Sequence, residues 1–260
     1  METTDYLSLL DLRGRNFVVL GAGQGIGAEA CHALAQAGAK IACVDSDPGR
    51  GEQIARHVDG LALSGDVTRR EDVQRIFREA QASFRSVHGI VDIVGAAATK
   101  PLVAFDDGEW EQQYAIVLRH VFLTLQIGAE AVADAGGGSI TFVGSIAGTA
   151  SIPGQSAYGS AKAALHQLVR TQAHELAPRN IRVNAVAPGI VRTPRLLARL
   201  SDAQWEKIES RIPLGRAAKP SEIASAILFL ASGMASHVTG HILAADGGLA
   251  AITALPAVGD

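Results

Sequence analysis

Short apolar runs alternate with longer amphipathic segments along most of the chain. The runs at 16–20, 40–45 and 181–186 are rich in Val, Ile, Leu and Ala, which is typical of strands buried on both faces of a parallel sheet. Such alternation of strands and helices predicts a doubly wound α/β fold, a parallel sheet with helices on both faces. Further strands are predicted at 61–64, 90–95, 140–144 and 241–245, and helices at 28–37, 49–57, 69–84, 107–134, 158–176 and 221–231.

The pattern contains no internal repeat, linker or low-complexity stretch. We therefore predict a lead-in at 1–15, one Rossmann-type domain at 16–248 and a tail at 249–260. An amphipathic insert at 195–211 carries Leu196, Leu197, Leu200, Trp205 and Ile208 at helical spacing. Two interpretations of this insert stay open. It is either a lid over an apolar or cyclic substrate, or a stripe that packs on the body of the protein or on a partner subunit.

Composition and charge narrow the class of protein. Hydrophobic residues make up 48% of the 260 residues and charged residues 19%, with a net charge of −3. This balance predicts a globular protein, and the lack of a basic cluster argues against nucleic acid as a partner. No uninterrupted apolar run approaches ~18 residues, so we expect no membrane span. The acidic start has no apolar segment, so we expect no signal peptide and a cytoplasmic location.

The two cysteines and the lack of a ligand motif predict no metal site. Cys31 falls in a predicted helix and Cys43 in a predicted strand, and neither belongs to a CxxC motif. We expect both to be buried as small hydrophobic residues, without a metal or redox role.

A glycine-rich loop joins the first predicted strand to the first helix. Gly21, Gly25 and Gly27 lie in this loop, within a strand–loop–helix–strand unit of about thirty residues, which is the unit that binds dinucleotides. Glycines let the backbone approach a pyrophosphate, and the helix N-terminus stabilises its charge. Asp45 ends the second strand, where a carboxylate accepts hydrogen bonds from a ribose diol and repels a 2′-phosphate. We expect no cation nearby, so the sequence predicts NAD rather than NADP.

A second constellation, Ser145, Tyr158 and Lys162, predicts acid–base chemistry. Tyr158 and Lys162 are four residues apart at the start of a predicted helix, so their side chains share a face. A tyrosine ionises near pH ~10, and a neighbouring cation is expected to lower that value. Ser145 follows a predicted strand, where its hydroxyl can hold the oxygen on which the tyrosine acts.

Together these motifs resemble the short-chain dehydrogenase/reductase family over residues 14–249. The resemblance rests on Gly21-x3-Gly25-x-Gly27, Asp66-Val67, Ser145 with Tyr158-x3-Lys162, and Pro188-Gly189-x3-Thr193. It implies a nicotinamide cofactor, a seven-stranded sheet, and a homotetramer or dimer built through long helices. It also implies that Tyr158 is the catalytic acid/base, that Lys162 holds the nicotinamide ribose, and that Ser145 clamps the substrate oxygen. The expected cofactor-binding residues are Gly21, Gln24, Gly25, Ile26, Gly27, Asp45, Asp66, Val67, Ala97, Tyr158, Lys162, Pro188, Gly189, Val191 and Thr193.

The chain departs from the family pattern at two places near this site. Where the family has Asn-Asn-Ala-Gly after its fourth strand, we match the stretch at 96–99, and where it has a catalytic Asn in the next helix, we match Val117. In the family that Asn helps to hold a water that relays protons to the lysine. Two replacements are open: a water held by backbone carbonyls at a helix distortion, which we favour, or a relay through His120. Otherwise His120 is a buried or interface residue.

The sequence therefore predicts an NAD-dependent oxidoreductase that interconverts a secondary alcohol and a ketone. One alternative is a reductase of 3-oxoacyl thioesters or small ketones. Another, from a different class, is a nucleotide-binding protein that has lost its activity. The complete Ser, Tyr and Lys set favours the enzyme.

Overall fold

The computed structural model describes residues 3–251, which form a seven-stranded parallel sheet in the order β3-β2-β1-β4-β5-β6-β7. Helices cover both faces, so the predicted doubly wound fold is confirmed. Residues 1–2 and 252–260, which belong to the predicted lead-in and tail, lie outside the described residues. The strands are β1 (Asn16–Leu20), β2 (Lys40–Asp45), β3 (Leu61–Ser64), β4 (Gly89–Asp92), β5 (Gly138–Val143), β6 (Ile181–Pro188) and β7 (Ile242–Ala245).

Two apolar cores form because the buried strands present side chains to both faces of the sheet. One core packs helices α3, α4 and α5 on the sheet, and the other packs α1, α2 and α8 on the opposite face. The helices are α1 (Ile26–Gln36), α2 (Pro48–His57), α3 (Arg70–Phe84), α4 (Asp107–Asp134), α5 (Ser156–Leu176), α6 (Pro194–Leu197), α7 (Asp202–Glu209) and α8 (Pro220–Ala231).

Helix α4 is long and contains two π-helical segments, Ala115–Arg119 and Thr124–Gly128. The first includes Val117, so the predicted helix distortion is present at this position. By length and composition α4 could cross a membrane, against our expectation, since an 18-residue window of it has a mean hydropathy of 1.4. However, 56% of that window is buried inside the fold. The apolar character of α4 is therefore that of a helix packed on a sheet.

Strand β4 ends at Asp92, three residues earlier than predicted. The Ile93 N–H still bonds to the Leu20 carbonyl, but the Val94 N–H turns to Oδ1 of Asp92 at 3.1 Å. An aspartate that accepts the N–H two residues ahead replaces the ladder hydrogen bond and ends the strand. The residues that directly follow β4 are therefore those at 93–95, ahead of the stretch at 96–99 that we matched to the family's Asn-Asn-Ala-Gly.

Candidate active site

The loop between β1 and α1 brings backbone N–H groups to the carboxyl edge of the sheet. Gly21 and Gly25 have positive φ values of 83° and 59°, which glycine adopts without steric cost. A Cβ on Gly27 would lie 1.9 Å from the Gly21 carbonyl oxygen, so α1 packs this closely only with glycine there. Helix α1 begins at Ile26, and no described side chain caps its N-terminus. Its first N–H groups and the positive end of its dipole therefore fit a pyrophosphate.

Asp45 lies beside this loop, as the NAD prediction requires. Its Oδ2 accepts a hydrogen bond from the Gly23 N–H at 2.8 Å, and its Oδ1 accepts one from the Asp47 N–H at 3.0 Å. The expectation of no nearby cation is wrong, because α2 brings Arg50 against the same loop. A Cβ on Gly23 would lie 2.6 Å from Cβ of Arg50. The Arg50 guanidinium pairs with Asp47 at 3.4 Å, so its charge is partly balanced.

Ser145, Tyr158 and Lys162 are brought together by β5 and the start of α5. Ser145 follows β5 and begins a short 3₁₀ turn, where its Oγ accepts the Ala147 N–H at 3.1 Å. Lys162 is 2% exposed, and its Nζ donates to the Val143 carbonyl at 2.7 Å. The same Nζ lies 5.8 Å from the centroid of the Tyr158 ring. The three predicted catalytic groups thus meet at the carboxyl edge of the sheet.

The electrostatics of this cluster differ from the expectation that Lys162 lowers the pKa of Tyr158. Burial raises the pKa of Tyr158, while hydrogen bonding with Ser145 and the charge of Arg195 act in the opposite direction. The ammonium of Lys162 is turned to the end of β5 rather than to the phenol oxygen. Burial also lowers the pKa of Lys162 to about 8, and the charge of Asp92 opposes this shift. Near pH 7 the site therefore holds a neutral phenol beside a charged lysine.

A buried polar cluster that the sequence analysis did not assemble lies at the end of β4. Oδ2 of Asp92 is 2.8 Å from Nδ1 of His120 and accepts the Thr124 hydroxyl at 3.0 Å. All three side chains are buried, and His120 is only 1% exposed. His120 therefore faces the sheet, in the region of Lys162, rather than solvent.

A second buried histidine, His166, packs against the turn that carries Ser145. Cβ atoms on Gly144 and Gly148 would lie 2.4 Å and 2.7 Å from the imidazole ring, so these glycines make room for it on both sides of Ser145. His166 lies one turn beyond Lys162 on α5. Burial, followed by the charge of Lys162, lowers the pKa of His166 to about 4, so the ring is neutral at pH 7.

The insert at 195–211 begins directly over the glycine loop. A Cβ on Gly25 would lie 3.5 Å from Cγ2 of Thr193 and 3.6 Å from Cδ of Pro194. Most of the apolar stripe packs inside the protein, which favours the second of the two interpretations for those residues. They form a small core with neighbouring segments: Ile190, Leu196, Leu200, Trp205, Ile208, Ile212, Ala217 and Leu249. Leu197 stays exposed.

The remaining predicted cofactor residues follow the ends of other strands. Parallel strands place their carboxyl ends at one edge, so these residues lie on the same side of the sheet as the glycine loop. Gln24 is in that loop, Asp66 and Val67 follow β3, and Ala97 follows β4, while Pro188, Gly189, Val191 and Thr193 lie at or after the end of β6. Their contacts with a cofactor stay a prediction.

Sequence reasoning missed Asp92 and Arg50 for different reasons. Asp92 interrupts the apolar run 90–94, and a carboxylate inside a buried strand needs partners, so a signal was present. Arg50 gave no comparable signal, because its position beside the loop depends on how α2 packs.

Comparisons with known proteins relate the chain to named dehydrogenases and reductases. A family model described as enoyl-(acyl carrier protein) reductase matches residues 21–250. The chain is 35% identical over 243 residues to 3-oxoacyl-[acyl-carrier-protein] reductase of Thermotoga maritima, covering 92% of this chain and 98% of the relative. It is 39% identical over 241 residues to cis-4-hydroxycyclohexanecarboxylate dehydrogenase of Sinomonas cyclohexanicum, covering 90% and 96%. A solved 7α-hydroxysteroid dehydrogenase in complex with NADH and 7-oxo glycochenodeoxycholic acid matches with a TM-score of 0.89 and 30% identity, over 94% and 98% of the two chains.

Proposed function

The chain belongs to the short-chain dehydrogenase/reductase family, and on that premise we propose that it is an NAD-dependent oxidoreductase that interconverts a secondary alcohol and a ketone. The observation that carries the proposal is the meeting of Ser145, Tyr158 and Lys162 at the sheet edge that also carries the glycine loop. Neither feature alone specifies hydride transfer, but a nucleotide loop beside an acid–base group does.

Each side chain of the cluster has one role in this chemistry. In alcohol oxidation, the phenolate of Tyr158 takes the hydroxyl proton, and Ser145 Oγ donates a hydrogen bond to the same substrate oxygen. Lys162 stabilises the phenolate by its charge and holds the nicotinamide ribose. NAD, when bound, accepts the carbinol hydride. In ketone reduction neutral Tyr158 supplies the proton, and the raised pKa of Tyr158 favours that form at pH 7.

The cofactor proposal is NAD, because Asp45 lies where a 2′-phosphate would be repelled. Gly25, Ile26 and Gly27 would hold the pyrophosphate through their backbone, and Asp45 the adenosine ribose. Arg50 weakens this preference, but its guanidinium already has Asp47 as a partner.

The substrate proposal is an apolar or cyclic alcohol that carries an anionic group. Exposed Leu197 offers an apolar contact at the start of the insert. Arg195, two residues earlier, is close enough to Tyr158 for its charge to lower the pKa of the phenol. Among the described residues, the carboxylates that form salt bridges pair with other cations, such as Glu209 with Arg192. A carboxylate on the substrate would give Arg195 a partner. The relative named for cis-4-hydroxycyclohexanecarboxylate and the hydroxysteroid dehydrogenase solved with 7-oxo glycochenodeoxycholic acid support this proposal.

The test is NADH fluorescence during incubation of the protein with NAD and a panel of secondary alcohols. The panel pairs cyclic hydroxy acids with the same alcohols lacking the carboxylate, and runs at pH 9, where more Tyr158 is ionised. We expect NADH formation, faster with the acids. A protein that binds NAD but oxidises no alcohol and reduces no ketone of the panel would contradict the proposal and favour a nucleotide-binding protein without activity.

The second candidate is a reductase of 3-oxoacyl thioesters, which the 35% identity to a 3-oxoacyl-[acyl-carrier-protein] reductase favours. This reductase would use the same residues for the reverse reaction, in which neutral Tyr158 supplies the proton. Consumption of NADH with an acetoacetyl thioester, at a higher kcat/KM than with the ketones of the panel, would select it. We also propose a homotetramer or dimer, as the family resemblance implies. From the charge and the apolar pattern of the sequence we propose a cytoplasmic location and no nucleic acid or membrane partner.

A further inference from the structure

The buried cluster at the end of β4 contains a carboxylate that is fully engaged. Asp92 accepts from His120 Nδ1 at 2.8 Å and from the Thr124 hydroxyl at 3.0 Å through Oδ2, and from the Val94 N–H at 3.1 Å through Oδ1. Its side chain is completely buried. A buried carboxylate needs hydrogen-bond donors, and here three groups supply them. Asp92 therefore acts as an acceptor in this cluster.

The bond to Asp92 fixes the tautomer of His120. Because an ionised carboxylate can only accept, the hydrogen of a neutral His120 is on Nδ1, and Nε2 carries a free lone pair. This Nε2 is buried and has no hydrogen-bond partner among the described residues. Buried side-chain nitrogens and oxygens are almost always hydrogen-bonded, to protein or to ordered water. His120 thus presents a directed acceptor that the described residues do not satisfy.

Lys162 approaches the same end of the sheet from α5. Asp92 on β4 is paired with Phe142 on β5, and the next residue, Val143, supplies the carbonyl that binds Lys162 Nζ at 2.7 Å. A Cβ on Gly95, three residues after Asp92, would lie 3.2 Å from the same Nζ. An ammonium group has three donors, and among the described residues one of them has a partner. The free acceptor of His120 and the free donors of Lys162 therefore lie around the ends of the neighbouring strands β4 and β5.

The adjoining part of α4 is irregular in a way that suits a bound water. The π-helical segment Ala115–Arg119 ends directly before His120 and includes Val117. A π-bulge leaves a carbonyl without its usual N–H partner and is common at functional sites. A buried water needs two to four polar partners. Such a carbonyl, Nε2 of His120 and Nζ of Lys162 supply them.

We propose that His120 is a positioning residue for Lys162: Asp92 holds Nδ1–H, and Nε2 accepts a hydrogen bond from one bound water to which Lys162 Nζ donates. With one donor on Val143 and one on this water, the ammonium is held in a single orientation, and its third donor is free for Tyr158 and the ribose. The inference rests on the proposed function for its catalytic consequence, but the hydrogen bonds themselves do not depend on it.

Two substitutions of His120 test the roles of its two ring nitrogens, Nδ1 and Nε2, separately. His120→Asn keeps a donor in place of Nδ1–H, so that Asp92 stays paired, and removes Nε2. His120→Gln places a polar atom near the position of Nε2 and serves as the conservative rescue. We expect His120→Asn to unfold within a few degrees of the wild type and to lose at least tenfold in kcat, with an unchanged NAD dissociation constant. His120→Gln should recover part of that loss.

Thr124→Val is the complementary control, because it removes a donor to Asp92 but leaves Nε2 of His120 in place. It should lower the melting temperature and leave kcat within about threefold of the wild type. The proposal is overturned if His120→Asn keeps the kcat of the wild type, or if Thr124→Val loses as much kcat as His120→Asn. In either case the hydrogen bond between Asp92 and His120 serves only to stabilise the fold.

A second test, which needs no turnover, is NMR of the protein labelled with ¹⁵N-histidine. The resonances of His120 are assigned by their absence from the spectrum of His120→Asn. We expect the His120 Nε2 resonance to shift on Lys162→Met and the Nδ1–H resonance to stay. An unchanged Nε2 resonance would overturn the proposal. If Lys162→Met does not fold, Lys162→Arg gives the same readout, because a guanidinium places its N–H donors at other positions than the ammonium of Lys162. If the protein oxidises no alcohol, the proposed function is contradicted. The NMR comparison still decides whether a water links His120 to Lys162.

Discussion

At the scale of single residues, we expect Asp45 and Arg50 to act in opposite directions on the choice of cofactor. Asp45 is hydrogen-bonded to the glycine loop, and Arg50 lies against the same loop but pairs with Asp47. We expect NAD to bind at least tenfold more tightly than NADP, about 1.4 kcal/mol. Asp45→Ala should narrow the ratio of the NADP and NAD dissociation constants, mainly by removing repulsion of the 2′-phosphate. Titration of both cofactors by fluorescence measures it.

Arg50→Ala is the control for that ratio, since it removes the only positive charge that we identify beside Asp45 among the described residues. It should leave the NAD dissociation constant unchanged and weaken NADP further. Equal dissociation constants for the two cofactors in the wild type would show that Arg50 rather than Asp45 dominates this corner of the site.

The positions of the proposed catalytic residues could be predicted because each depends on short-range geometry. Tyr158 and Lys162 share a helix face by their spacing, and Ser145 needs only the end of a strand. The pairing of Asp92 with His120 could not be predicted in this way. Its two partners are 28 residues apart, and their contact depends on how α4 lies on the sheet.

At the scale of elements, α5 carries Tyr158, Lys162 and His166 at successive turns of one face. The folded state holds His166 neutral, with a pKa lowered from 6.5 to about 4. The unfolded chain therefore binds more protons than the folded one between these values, and stability falls as the pH drops from about 6.5 towards 4. We expect His166→Leu to reduce this slope in the free energy of unfolding, measured by urea titration.

The exposed His174 on the same helix provides the comparison. His174→Gln should leave the slope between pH 6.5 and 4 as in the wild type. If the wild type and His166→Leu lose stability in parallel over that window, His166 is not the group that titrates.

Helix α4 depends on a glycine at its second π-helical segment. A Cβ on Gly128 would lie 2.5 Å from Cζ of Phe77 and 2.6 Å from Cδ1 of Ile90. Alanine normally stabilises a helix by about 1 kcal/mol relative to glycine, but overpacking of a core costs about 1–3 kcal/mol. Gly128→Ala should therefore be destabilising in chemical denaturation.

Gly108, in the first turn of the same helix, is the matched position, because a Cβ there meets only Asp106 at 3.5 Å. Gly108→Ala should be neutral or stabilising. A stabilised Gly128→Ala would mean that α4 moves away from the sheet at little cost.

Most elements were predictable from apolar periodicity, and a helix distortion near Val117 was also expected, whereas the second π-helical segment and the early end of β4 were not. The strand ends early because the Asp92 carboxylate accepts the Val94 N–H, and the same carboxylate binds two side chains of α4. A pattern of apolar and polar positions does not encode these hydrogen bonds, so the predicted strand continues to residue 95.

At the scale of the whole molecule, α4 leaves large apolar side chains on the surface. Phe122 is 45% exposed and Trp110 is 36% exposed. Burial of such side chains against a second copy fits the expected dimer or tetramer through the long helices. Light scattering of the purified protein should give the mass of a dimer or tetramer. Phe122→Asp should shift it to a smaller species.

The control is Val103→Asp, in a short 3₁₀ turn outside α4 and 96% exposed, which should leave the mass unchanged. A wild type that elutes as a monomer at micromolar concentration would contradict the assembly.

The acid–base role of Tyr158 is tested most directly by comparing NADH formation by the wild type and by Tyr158→Phe. The substrate is the alcohol of the panel that the wild type oxidises fastest. The substitution keeps the ring and removes the oxygen that is proposed to take the substrate proton. We expect kcat/KM to fall at least a thousandfold, about 4 kcal/mol of barrier, with the NAD dissociation constant within about threefold of the wild type. Turnover by Tyr158→Phe within tenfold of the wild type would show that another group carries the proton.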